Sequence, residues 1–121
     1  MNKKEKSKPF DLDERTFKFA KDIRGFVKKL TKTISNKEDI KQLIRASGSV
    51  GANYIEANEA LSKKDFYMRI KICRKEAKES NYWLRLIDVT DDDSLEKQRL
   101  DYVQESKELT HIFGAIISKS K

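Results

Sequence analysis

The chain has 121 residues, the length of one domain, and 39% of them are charged against 37% hydrophobic. That much charge cannot be buried, and 4 Gly with 1 Pro are too few for a protein of turns and short strands; amphipathic helices are expected instead. A single cysteine excludes an internal disulfide, and no apolar run approaches the ~18 residues of a membrane span, so a cytoplasmic protein without a membrane partner is expected.

Residues 1–10 carry Lys3, Lys4, Lys6 and Lys8, which repel one another, and little apolar surface; they read as a mobile arm before a domain over 11–121. No apolar stretch follows this basic start, so it is not a secretory signal. The first helix should begin near Asp11, with Glu14 completing a capping-box pattern. Ala20, Ile23, Val27 and Leu30 form its apolar stripe, widened by Phe19 and Phe26. Thr31 to Ser35 reads as a loop and Asn36 as the cap of the second helix, whose stripe is Ile40, Ile44, Ser47, Gly51, Tyr54, Asn58 and Leu61. A short break near Leu61 and a Ser62 cap introduce the third helix. There Phe66, Ile70, Cys73, Ala77, Ser80, Leu84 and Ile87 alternate four and three, the seam of a helical bundle. An acidic loop, Thr90 to Ser94, supplies a cap in Asp92, Asp93 or Ser94. Leu95, Tyr102, Leu109 and Ile116 then fall seven apart. Short connections make neighbours antiparallel, so the expected fold is an all-α, up-down four-helix bundle.

Candidate chemistry is sparse. Gly48 and Gly51 interrupt the second helix at a cost of up to ~1 kcal/mol each. No Lys-Ser/Thr pair follows and no strand precedes, so they fit close helix approach rather than a phosphate loop. Glu108-Leu-Thr-His111 has the Glu-x-x-His spacing of di-metal bundles, but such sites need the motif twice and the chain holds one His. Cys73 lies in the core seam as a small hydrophobe. No catalytic residue, metal or cofactor is therefore expected. Asn53, Glu56, Asn58 and Glu79 read as structural polar groups, pairing between helices or facing water.

Charge is distributed unevenly: residues 61–90 carry eight basic groups against four acidic ones. On the third helix, Lys64, Lys71, Lys75, Lys78 and Arg85 are spaced seven, four, three and seven, opposite the seam, with Tyr82 on the same side. A basic stripe with an interleaved aromatic follows a phosphate backbone and leaves a ring free to stack. An ordinary solvated face is the competing reading.

The run Ser49-Val50-Gly51-Ala52-Asn53-Tyr54-Ile55-Glu56-Ala57, then Ser62-Lys63-Lys64-Asp65-Phe66, Ile70-Lys71-Ile72, Glu76-Ala77 and Tyr82-Trp83-Leu84, resembles a bacterial four-helix bundle family. Its members include proteins encoded within intervening sequences of 23S rRNA genes. The resemblance runs from about Phe10 to Ile117 and implies a ring-shaped homo-oligomer, commonly a pentamer, with no enzymatic activity. The chain is similar, more distantly, to basic accessory bundle proteins of diversity-generating retroelements, which associate with reverse transcriptase and nucleic acid. The expectation is a non-catalytic module that binds RNA or a nucleoprotein. The alternative is a structural or protein-binding scaffold.

Overall fold

Four amphipathic segments become four helices: α1 (Leu12–Val27), α2 (Ile34–Asn58), α3 (Lys63–Leu86) and α4 (Asp93–Ser118). The structure is a computed structural model that describes residues 11–120, and the arm expected at residues 1–10 lies outside them. Among the described residues there is no strand.

Side-chain pairs give the topology. Arg15 of α1 meets Glu105 and Glu108 of α4, whereas Lys29, just past α1, meets Gln98. Asn53 meets Arg69 across α2 and α3, and Arg45 meets Glu76 and Glu79. Asn81 reaches Ser106 and Arg99 reaches Leu84 across α3 and α4. In each pair, residue numbers rise on one helix as they fall on the other, so every neighbour is antiparallel and the up-down bundle is as expected.

The caps explain where helices start. Ser62 accepts from the Asp65 amide at 3.1 Å, and Asp92 from the Leu95 amide at 2.9 Å, both at positions read from the sequence. The other two expected caps differ. Asp11 precedes α1 but its side chain caps nothing, so no capping box forms with Glu14. Thr33, not Asn36, caps α2, accepting from the Asn36 amide at 3.1 Å. The α1–α2 connection is therefore 28–33 rather than 31–35.

Asn36 is instead fully buried and clasps two connections. Its Nδ2 donates to the carbonyls of Thr31 (2.9 Å) and Asp88 (2.8 Å), and its Oδ1 accepts from the Asp88 amide (3.0 Å). The α3–α4 connection, 87–92, turns sharply beside this clasp: Thr90 and Asp91 hold φ of 52° and 62°.

The core follows the expected seams on α1, α3 and α4. Phe19, Ile23, Phe26, Ile70, Cys73, Leu84, Leu109 and Phe113 are 0–2% exposed, and Phe26 packs edge-on against Tyr102 at 5.4 Å. Each large side chain so buried contributes ~1.5–3 kcal/mol. On α2 the buried face takes in Ile40 and Ser47 of the expected stripe together with Leu43, Ala46, Val50 and Ala57 beside it, whereas the last stripe members, Asn58 and Leu61, are exposed, Leu61 at 97%. Asn58 ends α2 and Leu61 lies in the connection to α3, beyond the packed interior. Gly51 sits where α1 crosses: a Cβ there would stand 3.0 Å from Thr16 Oγ1 and 3.3 Å from Thr16 Cβ. Close approach is thus the function of this glycine.

Candidate nucleic-acid interface

The third helix builds the candidate face. Its inward seam fixes the rotation of the helix, and the opposite side projects Lys64, Lys71, Lys75, Lys78, Tyr82 and Arg85, all exposed. They span 21 residues, ~32 Å at helical rise. Among the described residues none of the five cations takes part in a salt bridge, whereas Arg15, Lys18, Arg45 and Arg99 all do. Tyr82 is 53% exposed, its ring edge-on to Trp83 at 5.0 Å. Met68 and Leu86 interleave with the stripe, 52% and 48% exposed.

Three further residues join this face from α4. Lys78, Tyr82 and Arg85 form one wall of a groove of about 350 Å³, and Lys107, Thr110 and His111 form the other, with Asn81 between. Sequence reasoning missed Lys107. It weighed His111 as a metal ligand paired with Glu108 and favoured a surface or interface histidine, without placing it beside α3. The available signal was Lys107 and His111 at four-residue spacing on one helical face.

The residues expected to be structural fall into two groups. Asn53 bridges helices, accepting from Arg69 at 2.9 Å while donating to Ser49. Glu79 accepts from Arg45 at 2.8 Å and raises the pKa of that guanidinium. Buried Glu76 joins the same pair at 3.4 Å. Glu56 and Asn58 are exposed: Glu56 borders a groove beside Arg69 and Met68, and Asn58 borders one between α1 and α2.

Electrostatics differ sharply on the other side of α4. A larger cleft, about 870 Å³ between α1 and α4, is lined by six acidic residues and two basic ones. Arg15 spans it, donating to Glu105 at 2.7 and 2.9 Å and to Glu108 at 2.7 Å. Hydrogen bonds from Gln104, and then Arg15, hold the Glu108 carboxyl below the usual carboxylate range. Glu108 is thus committed to these partners, away from His111. No group of three or more His, Cys, Asp or Glu among the described residues is placed to hold a metal ion. Burial pushes the Cys73 thiol up to about 12, so it stays protonated and inert at neutral pH, as expected of a core cysteine. No helix among the described residues is long and apolar enough to cross a membrane.

Comparison with known proteins supplies the family. No curated protein matches the chain. A crystal structure of a protein of unknown function from the S23 ribosomal protein family of Bacteroides thetaiotaomicron is similar in fold and sequence. The TM-score is 0.72 and the identity 30%, over 87% of this chain and 96% of that one. A family model described as 23S rRNA-intervening sequence protein matches residues 9–113. With the four-helix architecture, that match over most of its length makes the chain a member of the 23S rRNA-intervening sequence protein family.

Proposed function

We propose that this protein is a non-catalytic, cytoplasmic binding module that holds RNA on the outer face of α3. The observation that carries the reading is the stripe Lys64, Lys71, Lys75, Lys78 and Arg85, exposed and free of salt bridges among the described residues, with Tyr82 in its midst. Long side chains held apart from carboxylates keep their full charge for phosphate. The absence of base-specific geometry along one helix face fits sequence-tolerant binding.

A ring-shaped homo-oligomer, five-membered as the family resemblance implies, goes with this reading. Phe17 and Ile55 are 62% and 60% exposed and border the same groove between α1 and α2, an apolar patch that a second copy would cover. Repetition of the stripe around a ring converts weak contacts into avidity. The more distant likeness to retroelement accessory proteins points the same way, toward a nucleoprotein partner. The same exposed apolar residues favour the competing reading, a scaffold that binds only protein.

One titration separates the two. Labelled RNA and DNA are titrated with wild type and with Lys71, Lys75 and Lys78 changed together to Glu, at low and moderate salt. Expected is wild-type binding that weakens as salt rises, with a log–log slope near −0.7 per phosphate contacted on single strands, and little binding by the variant. Equal binding by both makes α3 an ordinary solvated face. No binding by wild type at low salt replaces the RNA reading with the scaffold. Light scattering that returns one-chain mass at micromolar concentration refutes the ring.

A further inference from the structure

We infer that the groove between α3 and α4 is a binding site for one unpaired nucleotide of a single RNA strand. The inference rests on the RNA reading above and gives it a location, a ligand class and two residues outside the stripe.

The groove combines the three things a nucleotide needs. Lys78 and Arg85 from α3 and Lys107 from α4 supply positive charge from both walls, His111 stands beside Lys107, and no acidic residue lines the space. Lys78 and Arg85 lie seven residues apart, ~10 Å along the helix, so Tyr82 falls between two phosphate-binding cations. Its ring stands near-perpendicular to that of Trp83 at 5.0 Å and is 53% exposed, which leaves ring surface for stacking.

The third component is an acceptor with a fixed orientation. Ser106, fully buried, donates its hydroxyl to the Val103 carbonyl at 2.7 Å and so presents a lone pair to Asn81. Asn81 must answer with its amide nitrogen, which donates to Ser106 Oγ at 3.0 Å and toward the Val103 carbonyl at 3.4 Å. The amide is thereby locked, and Oδ1 accepts no hydrogen bond among the described residues. Thr110 likewise spends its proton on the Ser106 carbonyl at 2.8 Å and keeps its lone pairs free. The polar floor therefore offers acceptors only. It suits a base edge that donates, a group every base carries, while the cations of the two walls meet the phosphates.

A stacked base on Tyr82 has left its own helix, so duplex RNA cannot use the site. The groove thus discriminates single strands from duplexes, which a plain charged stripe does not.

Three labelled probes test this: an oligo(A) decamer, an oligo(U) decamer and an RNA duplex of the same length. The variants are Lys107→Glu, Tyr82→Ala, Tyr82→Phe and, as the stripe control, Lys71→Glu. All three positions are exposed at the surface, and melting followed by circular dichroism verifies the fold of each variant. Expected is tighter binding of both single strands than of the duplex. Tyr82→Ala and Lys107→Glu each weaken oligo(A) binding about tenfold, and Tyr82→Phe retains it. Duplex binding responds to Lys71→Glu but not to Tyr82→Ala. If Lys71→Glu weakens oligo(A) binding while Tyr82→Ala and Lys107→Glu do not, the groove proposal falls and the stripe stands. If wild type prefers duplex, the groove proposal falls as well. If wild type binds none of the three at low salt, both readings fall together.

Discussion

Replacing Asn36 with alanine removes a clasp rather than a cap, and the two roles predict different losses. The side chain is 0% exposed and makes three hydrogen bonds of 2.8–3.0 Å to backbone groups of Thr31 and Asp88. Each such bond contributes ~1 kcal/mol net, and the groups left behind are partly reached by water because Thr31 and Asp88 are exposed. The sum is ~3 kcal/mol, a large share of the ~5–15 kcal/mol that holds a domain together. For a chain of this length the midpoint of thermal unfolding should fall by ~10 °C. Urea unfolding followed by circular dichroism measures the loss directly, and an unchanged m-value shows that the native surface is intact. Thr33→Ala, which removes a true cap, is the comparison and should lose only ~1 kcal/mol. An Asn36→Ala loss no larger than that of Thr33→Ala refutes the clasp.

Gly25 and Gly51 should respond oppositely to alanine. Nothing lies within 4 Å of a Cβ at Gly25, so Gly25→Ala should stabilise by ~0.5–1 kcal/mol through helix propensity. At Gly51 the new methyl meets Thr16, whose hydroxyl is tied to the Leu12 carbonyl at 2.7 Å; Gly51→Ala should gain nothing alone and recover only part of its gain with Thr16→Ala, which removes the 3.0 Å Oγ1 contact but leaves Cβ at 3.3 Å. Equal gains at both glycines in thermal melts refute close approach. Cys73 should resist iodoacetamide at pH 8 until urea unfolds the protein. Its thiol pKa, 9.0 by default and about 12 when folded, means the folded state keeps a proton that the unfolded state loses. Stability should therefore fall between pH 9 and 12, and less steeply in Cys73→Ala. Rapid labelling of the native protein refutes the buried assignment.

What the sequence disclosed depended on how local its cause is. The α3 seam was legible because one face of α3 meets the interior and the other meets water, so a single three-four stripe describes it. The α2 stripe held at Ile40 and Ser47 and failed at Asn58 and Leu61, because the three-four spacing runs on past the point where α2 ends and the chain turns toward α3. Asn36 looked like a cap because an Asn ahead of an apolar run usually is one. Its actual partner, Asp88, lies 52 residues away, and no local pattern reports such a bond. The same limit hid half of the groove. The α3 wall was visible as a stripe, but Lys107 and His111 join it only through the register of α4 against α3, set by contacts such as Asn81 with Ser106. Glu108 and His111, close in sequence, face different neighbours: Glu108 turns to Arg15 and His111 to the groove.

The acid-lined cleft between α1 and α4 gives a bound strand its boundary. Helix α4 shows Lys107 and His111 to α3, and Asp101, Glu105 and Glu108 to α1, so it stands between an attractive and a repulsive surface. A polyanion seated in the groove meets rising repulsion if it turns across α4 and falling potential if it runs lengthwise along α3. For a strand held as proposed, the bundle would prescribe a path as well as an anchor, parallel to the helices with α4 as its kerb.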